Sequence, residues 1–276
     1  MKKTTFSLVL LVYLGLFNPA YSINPDREYI LTPDSVDWKY EQLEIRTEDQ
    51  VKLISWIYEA DKENDKDTVL ILAYPDAGNM SYFVYHSAIL ANEGYTVVTF
   101  DYRGFGKSED FEIQREYLYS TEFALDLKAV VNTMAEKFKD KKIGIWGMSM
   151  GTTIASRAYP EIKDKIDFII GEGFVTDTST IVDRYKGLDK QILLPENSVL
   201  YETAIQSIDV PLLILTASDD TITTHGDALA LQAKLGEKCQ IVQFSGKHLA
   251  GFQVDHENKG FGGWYMEQLD RFLQNI

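Results

Sequence analysis

The sequence predicts an α/β fold: a mostly parallel central sheet with helices on both faces and an antiparallel hairpin at its start. Three observations predict it. Continuous apolar runs of strand length, Thr68–Ala73 and Thr96–Phe100 among them, suit strands covered on both faces. Segments with helical spacing separate those runs. Ahead of the first run, residues 42–46 and 51–58 alternate apolar and polar around Thr47-Glu48-Asp49-Gln50, as a hairpin does.

Taken in order, residues 1–22 read as a signal peptide rather than as part of the fold. Lys2 and Lys3 form a basic start, residues 6–17 are an apolar run of 12, and Ala20-Tyr21-Ser22 places small residues at −3 and −1 of a cleavage site. Twelve residues are too short to span a bilayer, and no cysteine follows for a lipid anchor. The expected product is an exported protein, periplasmic or secreted, beginning at Ile23, with no stable membrane anchor.

Residues 23–276 show no repeat and no dividing linker, so one domain is expected. Residues 23–40 are polar and turn-rich, an arm laid on the surface. After the hairpin, residues 60–67 form a charged loop before the strand Thr68–Ala73. Residues 82–92 read as a helix closed by Gly94, followed by the strand Thr96–Phe100. A long helix follows, its apolar stripe formed by Phe123, Leu127, Val130, Val131, Met134 and Phe138. Residues 143–146 and 166–170 are further strands. Residues 177–207 break the rhythm, with Tyr185, Leu188, Ile192 and Leu193 scattered among polar residues, and read as a short insertion over the site. Residues 211–215 and 240–244 restore the strand pattern around a helix over 227–235, and an amphipathic helix over 264–273 ends the chain.

Composition narrows the function. Formal net charge is −15, or −17 without Lys2 and Lys3, which repels nucleic acid and anionic membranes. The single cysteine, Cys239, cannot form an internal disulfide, so the core alone must hold the fold. Gly106-Lys107-Ser108 lacks the first glycine of a phosphate loop, since Asp101 stands there. Gly104-Phe105-Gly106 lacks the third glycine of a dinucleotide loop, since Glu109 stands there. No Cys/His cluster has zinc spacing, so neither metal nor cofactor is expected.

The chemistry points to Gly147-Met148-Ser149-Met150-Gly151, a G-x-S-x-G between a strand and a helix. A serine on so tight a turn is pushed out of the sheet, and glycines two positions either side are expected to let the chain approach itself closely. The N–H groups at the start of the new helix, Met150 first, then face developing negative charge. A serine hydroxyl needs a base, and the base needs a carboxylate to fix its tautomer. Of four histidines, His86 lies inside a helix, His225 starts one, His256 lies in a later polar loop, and only His248 directly follows the last strand. Asp219, Asp220 and Glu172 all follow strands, and periodicity does not choose between them.

The order of nucleophile, acid and histidine resembles the α/β-hydrolase superfamily, and the likeness extends over nearly all of residues 23–276. Asp101-Tyr102-Arg103-Gly104-Phe105-Gly106-Lys107-Ser108 looks like its D-x-R-G-x-G-x-S turn, and Gly246-Lys247-His248 like its G-x-H. The family's acid stands three after a small residue, here Ala217, which implies Asp220. Residues 73–79 resemble its H-G-N-A-G-N loop, with Tyr74-Pro75 in place of His-Gly. That match implies Asp76 N–H as the second oxyanion donor beside Met150 N–H.

The resemblance implies a cofactor-independent serine hydrolase. Ser149 would attack an ester-like carbonyl of a small acyl substrate, His248 would act as base and Asp220 as its orienting acid. Thioesters and small amides are the alternative substrates. Tyr74-Pro75-Asp76 is the one feature that favours instead a hydrolase-fold binding protein without useful turnover, because proline has no N–H to donate.

Overall fold

The computed structural model describes residues 22–188, 192–194, 198–255 and 257–276. The body of the expected signal peptide, residues 1–21, lies outside the described residues, as does His256.

Eight strands form one sheet: β1 (Tyr40–Arg46), β2 (Lys52–Tyr58), β3 (Thr68–Ala73), β4 (Thr96–Phe100), β5 (Lys142–Met148), β6 (Phe168–Glu172), β7 (Leu212–Ala217) and β8 (Cys239–Phe244). Their order across the sheet is β8-β7-β6-β5-β3-β4-β2-β1. The hairpin strands β1 and β2 run antiparallel, β2 joins β4 antiparallel, and every other pairing is parallel. Burial follows the residue patterns. β3, β4 and β7 are buried along their whole length, whereas β1, at an edge, alternates.

Among the described residues, seven α-helices connect and cover the strands: α1 (Val84–Asn92), α2 (Ser120–Lys137), α3 (Met150–Ile162), α4 (Thr178–Lys186), α5 (Ser198–Gln206), α6 (His225–Leu235) and α7 (Gly263–Leu273). On one face α3 packs against both α2 and α5. α7 covers the other, where Phe272 meets Phe168 and the Trp146 indole N–H donates to the Tyr265 hydroxyl at 2.8 Å. Among the described residues no helix is long and apolar enough to cross a membrane.

Two expectations need correction. The segment 177–207 is not simply an insertion over the site. α4 lies there, but α5, between β6 and β7 in the chain, packs against α3, with Tyr201, Ala204 and Ile205 buried. Nor is the start of the arm laid on the surface. Ser22 and Ile23 are buried and both donate their N–H to Arg115 O, at 2.7 and 3.0 Å. Asn24–Pro25 then pairs in parallel with Ala77–Gly78, in the loop after β3.

The chain leaves β3 for β4 on one side and returns to β5 on the other, so β3 and β5 are neighbours with Ala73 opposite Gly147. A crevice opens at the carboxyl ends of strands where the order reverses in this way.

Candidate active site

Ser149 is the single residue between the end of β5 and the start of α3, with φ 49° and ψ −115°. A non-glycine residue held there costs on the order of 1–3 kcal/mol, so its surroundings must over-determine it. They do. Its N–H donates to Glu172 O at 2.9 Å, and its carbonyl accepts the Thr152 N–H at 2.8 Å and the Thr152 hydroxyl at 2.7 Å. The two glycines serve different contacts rather than facing each other. A Cβ on Gly151 would lie 1.7 Å from Ala73 O, which no relaxation accommodates, while one on Gly147 would lie 3.2 Å from Thr152 Cα.

His248 comes from the loop after β8, and its Nε2 lies 3.0 Å from Ser149 Oγ. Its Nδ1 lies 2.6 Å from Asp220 Oδ2. Because a carboxylate only accepts, Nδ1 carries the proton, and neutral Nε2 is left to accept the serine hydroxyl. The turn after β7 aims Asp220 at the ring. Oδ1 accepts the N–H of Ile222 and Thr223 at 2.8 and 3.0 Å, and Oδ2 accepts the Thr223 hydroxyl at 2.6 Å. Burial alone would raise this carboxyl, but the His248 hydrogen bond and charge and the Thr223 donors outweigh it and hold it at about 2.

The other two acids point elsewhere. Asp219 is exposed, and its carboxylate accepts from the neighbouring Ser218 hydroxyl at 2.9 Å. Glu172 is buried, and its Oε1 accepts the Gly251 N–H at 2.7 Å. Of the remaining histidines, His86 sits against Phe83, Phe252 and Phe261, and His225 Nδ1 lies 2.9 Å from the Thr216 hydroxyl.

On the oxyanion side, Asp76 and Met150 border the same cleft as Ser149. Met150 is the first residue of α3, one of the positions whose N–H has no intrahelical partner. Tyr74, where the likened loop has histidine, does not face the reaction. It is fully buried against Tyr102, Phe83 and Phe105, and its hydroxyl accepts the Tyr102 N–H at 3.3 Å. The Asp101 turn supports this loop from below. Its carboxylate accepts the Met80 N–H at 2.9 Å, the Lys107 N–H at 3.0 Å and the Tyr29 hydroxyl at 2.7 Å. Gly106 is required because a Cβ would lie 1.9 Å from Asp101 Oδ2.

The cleft encloses about 520 Å³ of atom-free space, part of it open to solvent. Its walls are mainly apolar: Leu118, Val175, Ile181, Val182, Ile192 and Leu194. Ser22, marked in the sequence only as the −1 residue of a cleavage site, and Tyr185, from the segment expected to lie over the site, also border it. Burial, with the Asp76 and Asp220 carboxylates adding to it, holds the Tyr185 hydroxyl protonated well beyond the usual tyrosine range. Gly173 is a further residue of the site that carries no signal in the sequence. With φ +63° it leaves room for the histidine ring, since a Cβ there would lie 2.6 Å from His248 Cε1. The places of Ser22, Tyr185 and Gly173 at the cleft depend on contacts made across the fold, and no motif in the sequence marks those contacts.

Known proteins resemble this chain in sequence and fold. The sequence model of a family described as Serine aminopeptidase, S33, matches residues 77–182, a span that includes Ser149 but neither Asp220 nor His248. The uncharacterised protein YfhR of Escherichia coli K12 is 25% identical over 98% of this chain and 94% of its own. Lysophosphatidylserine lipase ABHD12 of Danio rerio is 29% identical over 72% of this chain, which spans about half of that lipase, 56% of its length. Among solved structures, the Pyrococcus furiosus esterase Pf2001 superposes with a TM-score of 0.71 at 23% identity, covering 92% of this chain and 99% of the esterase.

Proposed function

We propose that this chain, whose fold is that of the α/β hydrolases, is a serine hydrolase cleaving ester-like acyl bonds through an acyl-serine intermediate. One observation carries the reading: a continuous relay from Ser149 Oγ through His248 to Asp220, at 3.0 and 2.6 Å, opening onto a largely apolar cleft. Ser149 Oγ attacks the carbonyl carbon as its proton passes to His248 Nε2. The negative charge on the carbonyl oxygen falls to the N–H groups of Met150 and Asp76. Collapse expels the alcohol with the proton from Nε2 and leaves the acyl group on Ser149. Water, deprotonated by the same nitrogen, then releases the acid and restores the serine. One oxyanion donor is worth roughly 3 kcal/mol, so both N–H groups matter to the rate.

The cleft suits a small substrate with an apolar acyl or alcohol part better than a polymer. A lipase among the relatives favours an ester, while the description of the matched family, Serine aminopeptidase, keeps small amides as the second substrate class. We expect measurable turnover of short-chain p-nitrophenyl esters and single-site labelling by a fluorophosphonate. Labelling without turnover would overturn the esterase reading in favour of a binding protein with a defective oxyanion hole, the outcome that Pro75 and the Asp76 carboxylate favour.

Export belongs to the same proposal, on the strength of Lys2, Lys3 and the apolar run that follows. N-terminal sequencing of protein from the extracytoplasmic fraction should read Ile23 first, and an intact Met1 there would contradict it. Cleavage after Ser22 would also remove Ser22, whose hydroxyl donates to Glu116 O at 2.9 Å, from the wall of the cleft.

A further inference from the structure

We propose that Glu172 is a positioning residue for His248: it ties the serine turn to the histidine loop and, when ionised, sets a second negative charge behind the imidazole besides Asp220. The proposal rests on reading His248 as the general base.

Glu172 ends β6 and joins both halves of the relay. Its carbonyl accepts the Ser149 N–H at 2.9 Å, and its Oε1 accepts the N–H of Gly251, three residues after His248, at 2.7 Å. The next residue, Gly173, is the one against which the His248 ring lies. The Glu172 side chain is 1% exposed, and its Oε2 is buried with no hydrogen-bond partner among the described residues. A carboxyl acting only as an acceptor for Gly251 would need one oxygen and no charge.

The titratable groups facing it are His248 and Asp220, from the loops after β8 and β7, and Tyr265, from α7. Tyr265 directs its hydroxyl oxygen to the Trp146 N–H. Burial pushes the Glu172 carboxyl up and Asp220 adds to the rise. The Gly251 N–H and His248 oppose it, and the outcome is about 7. Glu172 therefore changes charge within the neutral range, while its Oε1 can accept from Gly251 in either form. Ionised, it favours the imidazolium that forms as Ser149 gives up its proton; neutral, it does not.

Glutamine retains the acceptor and abolishes the charge. For a neutral ester, the ratio of kcat/KM between the parent and Glu172→Gln should rise from about 1 near pH 5.5 to about 5–10 above pH 8. A ratio that is constant across that range overturns the proposal, because a purely structural clamp has no reason to follow pH.

A second measurement needs no turnover. In Ser149→Ala protein, the Glu172 carboxyl carbon followed by NMR should titrate near about 7, and the His248 ring resonances should shift in step with it. Adding Glu172→Gln should abolish that step. His248 resonances that do not follow the Glu172 step overturn the proposal whatever the enzyme does. Coupled shifts in a protein without ester turnover sustain it and count against the functional reading alone.

Discussion

Ester hydrolysis by Ser149→Ala is expected to fall by about 10⁴–10⁶-fold, and fluorophosphonate labelling to vanish. The effect is large because no neighbour can substitute. Ser149 Oγ is the group 3.0 Å from His248 Nε2, and the backbone that projects it is specified by Glu172 O, Thr152 and the close contact of Gly151 with Ala73. Alanine fits the same backbone without losing any of those contacts, so the variant should fold with an unchanged melting curve. Residual rate above that of water would come from the oxyanion donors and the cleft. Undiminished labelling of this variant would sink the assignment.

The second large effect is expected at Asp220→Asn, about four powers of ten in kcat with the fold retained. The asparagine Oδ1 can still accept the N–H groups of Ile222 and Thr223, so the turn after β7 survives. Its NH₂ then faces His248 Nδ1, which must give up its proton to accept. The ring proton moves to Nε2, and the nitrogen meant to take the serine proton is already occupied. Asp219→Asn should keep most activity, because the Asp219 carboxylate is exposed and accepts from the Ser218 hydroxyl, while its N–H bond to Gly246 O is a backbone contact that asparagine keeps. Measuring kcat for both variants, with circular dichroism as the fold control, decides the matter. Equal losses would show that the turn, rather than the single carboxylate, is what activity requires.

Much of the sheet is legible in the sequence because burial on both faces leaves nothing to alternate. β3 and β4 are apolar or small along their length and appear as uninterrupted runs. The turn bearing Ser149 is legible for the same local reason: its glycines, its serine and the strand before it lie within a few residues. α5 is not legible. Tyr201, Ala204 and Ile205 pack inward, but Val199 and Leu200 are apolar and exposed, so the amphipathic contrast that marks a helix is blurred. The buried start of the arm is invisible for a different reason. Ser22 and Ile23 satisfy their N–H groups on Arg115 O, some ninety residues away, and backbone pairing at that distance leaves no pattern in side chains. Asp219 and Asp220 cannot be separated by periodicity because the choice depends on which carboxylate the turn directs at a histidine from another strand.

The burial of Ser22 and Ile23 beside the cleft has a practical side. The two described ends of the chain leave the fold in different places. Ser22 borders the cleft, whereas the carbonyl of Ile276 accepts from the Lys142 ammonium at 3.0 Å, at the start of β5 and thus at the far end of the strand that delivers Ser149. A purification tag fused directly ahead of residue 23 would emerge at the mouth of the site and compete with substrate for it, while the same tag after Ile276 would not. Immobilised on a resin, the protein should work better when held by its carboxyl terminus than by its amino terminus.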